Sequence, residues 1–227
     1  KKIEFLSTPY DVEDAKLLAK HGIKKFKTSS ADLTDYFLHN FLSRNAKQVI
    51  ISTGMSTLKE ISNTLKIYNK KKTKITLLHC VSNYPCTDSS LNLNNITTLK
   101  NTFKLLIGFS DHSENKLAAI TAMGLGCRVI ERHITLSKKM KGPDHLASDN
   151  PEQFKRYVNL IRNSEKILGD FEKKKQKEEL EMHKISRKGI YYIKDLKKGE
   201  KVSFNNLFLR RPWGGLSIFD IKKKLLK

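Results

Sequence analysis

Six short apolar runs, each followed by an amphipathic stretch of helical length, constrain this chain more than any other feature. The runs are Ile3–Leu6, Ile23–Phe26, Val49–Ile51, Ile75–Leu78, Leu105–Phe109 and Arg128–Ile134, and their β-branched content marks them as strands. The helical stretches are Val12–His21, Leu33–Arg44, Thr57–Asn69, Leu93–Phe103, Lys116–Leu125 and Pro151–Leu168, the last framed by Pro151 and Gly169 as start and stop signals. Strict alternation with short connections predicts a parallel α/β sheet covered by helices, either doubly wound or closed as a barrel. The polar groups favour the barrel. Every run ends in hydroxyls, Lys, imidazole or carboxylate, whereas an open sheet concentrates its site at one switch point. No Gly-rich dinucleotide or phosphate loop is present, and Gly54-Met55-Ser56 alone does not make one.

A closed barrel of this kind needs eight strands. With six units, and a start at Lys1-Lys2, the chain reads as a (β/α)8 barrel lacking its first two units, so that residues 1–170 supply strands 3 to 8. The unpaired edges of such a piece invite association. Beyond Gly169 a charged connector, residues 171–183, leads to a small β-rich unit at 184–227 with Gly-rich turns, and Leu226-Lys227 reads as a second truncation.

Two segments carry the chemistry: Gly108-Phe109-Ser110-Asp111-His112, and Glu131-Arg132-His133 followed by Gly142-Pro143-Asp144-His145. Alternation along a strand puts Ser110 and His112 on one face, and Glu131 and His133 likewise. Spacing alone leaves the histidines open between satisfied core residues and a metal pair. It leaves Glu131 open between a proton carrier and a salt bridge to Arg132 or a lysine, and Asp32 open between a proton carrier and a helix N-cap. Lys27 is singled out as a lysine at a strand end among hydroxyls. A strand-end Ser or Thr taken singly reads as a helix cap.

The ordered set Phe5-Leu6-Ser7-Thr8-Pro9, Phe26-Lys27 with Ser30, Ser52-Thr53-Gly54-Met55, Leu77-Leu78-His79-Cys80 with Tyr84-Pro85, Gly108 to His112, Glu131 to His133, Gly142-Pro143-Asp144, Lys198-Gly199-Glu200 and Arg211-Pro212 resembles the sialic acid synthase family, which includes N-acetylneuraminate, legionaminate and pseudaminate synthases. The resemblance implies a TIM barrel followed by a small antifreeze-like (SAF) domain, working as a domain-swapped homodimer. It implies condensation of phosphoenolpyruvate with an N-acetylated amino sugar such as N-acetylmannosamine, with release of phosphate and dependence on a divalent metal, Mn2+ first, with Mg2+ or Co2+ as alternatives. By the same resemblance His112 and His133 are the metal ligands. Thr8, Lys27, Ser30, Ser52 and Ser110 bind phosphoenolpyruvate. Asp144, Tyr84 and Ser82 meet the sugar, Arg211 reaches in from the other subunit, and Glu131 and Asp32 carry protons. The sequence departs from relatives where Asp32 replaces Glu, Ser82 replaces Asn and Trp213 replaces the Gly after Arg-Pro. Two alternatives stand beside this reading: a non-catalytic SAF-containing carbohydrate-binding protein, and another phosphoenolpyruvate-dependent aldehyde-condensing synthase.

Composition bounds the rest. Lys+Arg 44 against Asp+Glu 23 gives +21, which raises the case for nucleic acid. The lysines are spread over every helix with no basic stripe interleaved with aromatics, which argues against it. Cys80, Cys86 and Cys127 show no paired spacing and fit a reducing, cytoplasmic compartment. Cys80, beside His79, reads as packing rather than as a nucleophile. No apolar stretch long enough for a membrane span and no signal peptide is visible.

Overall fold

The structure is a computed structural model that describes residues 3–69 and 71–225, with no account of the side chains of 222–225. The ends on which truncation was read, Lys1-Lys2 and Leu226-Lys227, lie outside the described residues. The chain divides into two compact units, residues 1–169 and 170–227.

In the first unit five parallel strands, β1 (Lys25–Thr28), β2 (Gln48–Ser52), β3 (Lys74–His79), β4 (Leu106–Asp111) and β5 (Ile130–Arg132), lie side by side in sequence order. Between them run α1 (Val12–Lys20) before β1, then α2 (Tyr36–Asn45), α3 (Leu58–Ile67), the short α4 (Asp88–Leu91) with α5 (Asn94–Phe103), and α6 (Leu117–Gly124). The long α7 (Pro151–Leu168) follows β5. This is the curved sheet of a parallel half-barrel.

One parity of each strand faces the helices. Phe26, Val49, Ile51, Leu77, Ile107 and Phe109 pack there against Leu38, Leu42, Ile61, Ile96, Leu99, Ala118 and Ala122. Each Val, Leu, Ile or Phe so buried contributes about 1.5–3 kcal/mol. The opposite parity is left for the interior. Gly108 is required there: a Cβ would lie 2.4 Å from Leu78 Cδ2 and 2.5 Å from the Val129 carbonyl oxygen, so a side chain would push β4 off its neighbours.

Local chemistry fixes the helix boundaries. Thr57 and Glu60 form a capping box on α3, and Asn150 and Gln153 do the same on α7, with Pro151 at its first turn and Gly169 (φ 61°) ending it. The α2 helix begins a turn later than expected because Asp35, rather than Asp32, caps it, accepting from the Leu38 N–H at 3.0 Å.

Two strand expectations are corrected. Ile3–Leu6 forms no strand: Ile3 is 92 % and Phe5 64 % exposed, and pairing begins only at Ser7, which makes one parallel bridge to Phe26. The run Arg128–Ile134 shortens to Ile130–Arg132 because the chain then turns to pair with its own returning loop, with Asp149 N–H donating to the His133 carbonyl and Thr135 N–H to the Asp149 carbonyl.

In the second unit, α8 (Glu179–Ser186) spans the 183/184 point where the sequence reading placed a boundary. It is followed by the antiparallel pair β6 (Gly189–Tyr192) and β7 (Leu207–Arg210), a 3-10 turn at Phe204–Asn206, and α9 (Ile218–Leu225). Among the described residues no helix is long and apolar enough to cross a membrane.

One buried histidine on α2 makes stability depend on pH. His39 is fully buried, its Nδ1 is 2.7 Å from the Tyr68 hydroxyl, and burial pushes its pKa from 6.5 down to about 4, against the opposing pull of the Asp32 backbone and Asp35. In the unfolded chain the imidazole takes a proton below pH 6.5, whereas the folded one resists until about pH 4. Folding stability should therefore fall as pH drops through that window, by up to about 3 kcal/mol from this group. Urea unfolding at pH 7 and pH 4.5 should show a smaller acid loss in His39→Gln than in the parent. Equal losses would show that His39 is not the source.

Candidate active site at the carboxyl ends of the strands

The inward parity of the sheet brings the chemistry to one place. Lys27 on β1, Ser52 on β2, Cys80 just past β3, Ser110 and His112 at the end of β4, and Glu131 and His133 on and just past β5 all line one cleft of about 610 Å³. Thr8, Tyr10, Ser30, Ser82 and Tyr84 are also in its wall, as are Met55 and part of Arg132. A larger opening of about 1060 Å³ lies at the opposite, amino-terminal ends of the strands. Its lining is lysine-rich, including Lys24, Lys47 and Lys72, with no imidazole or thiol, and its one carboxylate, Glu4, is paired with Lys25.

One half of the cleft suits an anion. Lys27 is 6 % exposed, and its Nζ donates to the Thr28 carbonyl at 2.9 Å and lies 3.6 Å from Glu131 Oε2. An ammonium has three donors, so this one keeps capacity for a ligand. Ser30 Oγ accepts from the Gly54 N–H at 3.0 Å and sits 3.1 Å from Cys80 Sγ. A Cβ on Gly54 would come within 2.4 Å of Ser82 Oγ, 2.9 Å of Ser30 Oγ and 3.0 Å of Cys80 Sγ. The missing side chain therefore lets backbone, hydroxyls and thiol converge.

The other half suits a cation. The His112 and His133 rings are 5.4 Å apart, a spacing that two nitrogens each about 2.1 Å from one ion can span. Tyr84 packs on both, at 4.1 and 5.4 Å between ring centres. His112 Nδ1 is 2.7 Å from the Val81 carbonyl oxygen, which can only accept, so Nδ1 carries the proton and Nε2 presents a lone pair. Burial and the neighbouring His133 hold the His112 pKa below its ordinary value, against the opposing pull of the Val81 carbonyl and of Glu131 and Asp111, and this favours the neutral ligand form.

Ser110 Oγ lies 3.1 Å from that Nε2 and 2.7 Å from Glu131 Oε1. It has one proton for two acceptors. A cation on Nε2 resolves the conflict by taking the lone pair and leaving the serine proton to Glu131. The donor set thus fits a divalent ion with open positions for water and substrate. Among the described residues there is no cluster of three or more His, Cys, Asp or Glu for a closed protein cage.

Two predicted residues of the first unit do not line the cleft. Asp32 accepts from Ser29 Oγ at 2.5 Å within its own turn. Asp144 stands on the loop after β5, its Oδ2 4.0 Å from His133 Nδ1. Arg211 belongs to the second unit, where its Nε donates to the Ser186 carbonyl at 2.6 Å. Glu131 pairs with Lys27; Arg132, of opposite parity, pairs instead with Asp149 and Asp111. Sequence reasoning missed the Gly54 N–H and the place of Cys80 in the cleft wall. The inward parity of Cys80 was the available signal; a backbone donor leaves none.

Residues 1–173 match the NeuB family. The chain belongs to the NeuB family. It is 42% identical over 228 residues to N,N'-diacetyllegionaminic acid synthase of Campylobacter jejuni, covering 99% of this chain and 68% of that protein. Among solved structures, an N-acetylneuraminic acid synthetase from Leptospira borgpetersenii superposes with a TM-score of 0.73 at 33% identity, over 77% of this chain and 61% of that one. A spore coat polysaccharide biosynthesis protein E from Chromobacterium violaceum gives 0.80 at 28%, over 91% and 62%. This NeuB-family chain therefore spans about two thirds of the length of the relatives it matches.

The Gly54 contacts yield a test. Because the atoms that a methyl group would strike are serine and cysteine side-chain ends, which can rotate, Gly54→Ala should fold with little loss of stability while swinging the Ser30 and Ser82 hydroxyls out of place. Calorimetry with inorganic phosphate should show at least about tenfold weaker binding, the loss of one charge-assisted contact. Unchanged affinity would remove Gly54 from the anion cradle.

Proposed function

We propose that this chain carries the reacting face of a nonulosonic acid synthase, which joins phosphoenolpyruvate to the open-chain aldehyde of an N-acetylated amino sugar and releases phosphate. The observation that carries the reading is the cleft itself: a buried Lys27 with convergent hydroxyls stands beside two imidazoles in one cavity. A phosphate and a carboxylate on one substrate need fixed donors, and an aldehyde needs an electrophilic partner. The synthase names of the relatives support the same class.

In this reading Lys27, Ser30, Ser52 and Thr8 hold the phosphoenolpyruvate anion, with charge-assisted bonds contributing about 1.5–3 kcal/mol each, while the Gly54 N–H orients the Ser30 hydroxyl and Ser110 orients Glu131. His112, through Nε2, and His133 hold a divalent cation, Mn2+ first, which supplies Lewis-acid polarisation of the aldehyde oxygen and of a water. Carbon 3 of the enol attacks the aldehyde carbon, forming the new C–C bond, and the aldehyde oxygen gains a proton. Water adds to carbon 2, and the C–O bond to phosphate then breaks, leaving a 2-keto acid and inorganic phosphate. Glu131, bonded to Ser110 and paired with Lys27, takes the proton of that water. With Asp32 tied to Ser29, Glu131 is the carboxylate at the reacting end. Tyr84, Ser82 and Asp144 face the sugar. The 170–227 unit acts as an SAF-type cap in a homodimer, with Arg211 of the partner subunit meeting the N-acyl group.

In the complete protein, Lys27→Ala should raise the KM for phosphoenolpyruvate by about tenfold to a hundredfold, the equivalent of one such bond, and leave the sugar KM nearly unchanged. Equal rises in both would assign Lys27 a structural role. His112→Ala should abolish turnover and leave nothing for chelation to remove; full activity in that variant would end the cation reading. Mixing inactive Arg211→Ala with inactive His112→Ala after subunit exchange should restore part of the activity, since some heterodimers then carry one complete site. A mixture as dead as its parents would refute the shared site.

A further inference from the structure

Behind the two imidazoles, on the helix-facing side of β4 and β5, lies a buried ion network that the proposed chemistry does not use. Arg132, with its side chain 3 % exposed, forks the Asp149 carboxylate with Nε and Nη2, both at 3.0 Å. Its Nη1 donates to the main-chain carbonyls of Asp111, at 3.1 Å, and Ser113, and lies 3.4 Å from Asp111 Oδ1. Asp111 is itself fully engaged: Oδ2 accepts from the Tyr157 hydroxyl at 2.6 Å, and Oδ1 accepts from the Ser113 N–H and hydroxyl. Lys116 Nζ closes the other side of Asp149 at 2.6 and 2.8 Å. The Tyr157 ring lies under both cations, at 5.3 Å from Arg132 and 5.2 Å from Lys116.

Each cleft histidine is one residue from a member of this network. Asp111 precedes His112, Arg132 precedes His133, and Asp149 N–H holds the His133 carbonyl at 3.0 Å. Opposite parity sends the charged side chains to one face of the sheet and the imidazoles to the other. A single guanidinium thus ties together the end of β4, the end of β5 and the returning loop, the three pieces of backbone that decide how far apart the two rings stand. An apolar cluster of the same volume would serve stability as well or better, since a buried ion pair returns little net energy for its desolvation. What it would lack is the directional fork that fixes relative position.

We infer that Arg132 and Asp149 are positioning residues that set the separation of His112 and His133 for one divalent cation; this rests on the cation reading above. Outer groups that orient ligands typically change metal affinity ten- to a hundredfold when altered.

The test is Mn2+ binding to the intact chain, followed by electron paramagnetic resonance, with metal-free phosphoenolpyruvate binding measured in parallel by calorimetry. Arg132→Lys keeps the charge and loses the fork. It should bind Mn2+ at least tenfold more weakly while phosphoenolpyruvate affinity stays within about twofold, because the anion donors sit on other strands. If circular dichroism shows that Arg132→Lys does not fold, Tyr157→Phe, which removes only the hydroxyl's hydrogen bond to the Asp111 carboxylate, is judged on the same two readouts. His112→Ala separates the two claims. Mn2+ binding lost in His112→Ala but retained within twofold in the folded network variant overturns the inference alone. A parent that binds no Mn2+, or binding that survives in His112→Ala, overturns the cation reading and the inference with it. Parallel losses of Mn2+ and phosphoenolpyruvate affinity would mark the network as merely structural and also overturn it.

Discussion

Everything in the first unit depends on the two-residue alternation of parallel strands held in register. Because Phe26, Ile51, Leu77 and Phe109 must face the helices to bury their apolar surface, the residues of opposite parity that follow, Lys27, Ser52, Cys80 and Ser110, turn to the interior. Register then does the rest. Ser110 is paired with Glu131, and Asp111 with Arg132, across β4 and β5. Inward groups of adjacent strands therefore arrive at the same height, near the carboxyl ends, and the core that stabilises the fold also orders the site.

The same rule explains what could be read from sequence. The helix-facing runs repeat at period two and are strongly apolar, so β2, β3 and β4 were legible nearly to the residue. Thr8, Lys27, Ser30, Ser52, Ser82, Tyr84, Ser110, His112, Glu131 and His133, which resemblance and parity put together, do line one cleft. The failures have physical causes. Ile3–Leu6 is as apolar as a strand, but apolarity does not supply a pairing partner: among the described residues the backbone bridge to β1 comes only at Ser7, and Glu4 reaches β1 through a side-chain ion pair with Lys25. The end of β5 was overdrawn because the pairing of Ile134 with Asp149 is a contact between segments that no local pattern reveals. Asp32, a proton carrier by resemblance, accepts from a Ser29 hydroxyl within its own turn. Contributions from backbone, such as the Gly54 N–H, are invisible to residue-type reasoning.

The charges divide the work. The formal charge of +21 is spread widely, and the lysine-rich mouth at the amino-terminal ends of the strands is the larger opening. Net charge therefore does not locate the site. What distinguishes the other end is desolvation combined with incomplete pairing: Lys27 is buried against Glu131 with a donor to spare, Ser110 has one proton for two acceptors, and His112 is held in one tautomer by a main-chain carbonyl. Buried groups so arranged are costly unless a ligand completes them. An anion beside Lys27 and a cation on His112 Nε2 would complete both halves at once.

The most direct measurement is a crystal structure of the complete protein with Mn2+ and phosphoenolpyruvate, its metal located by anomalous scattering. The account predicts one anomalous peak between His112 and His133, with the substrate phosphate and carboxylate against Lys27, Ser30 and Ser52. A metal elsewhere, or the anion seated instead among Lys24, Lys47 and Lys72 at the opposite mouth, would contradict it.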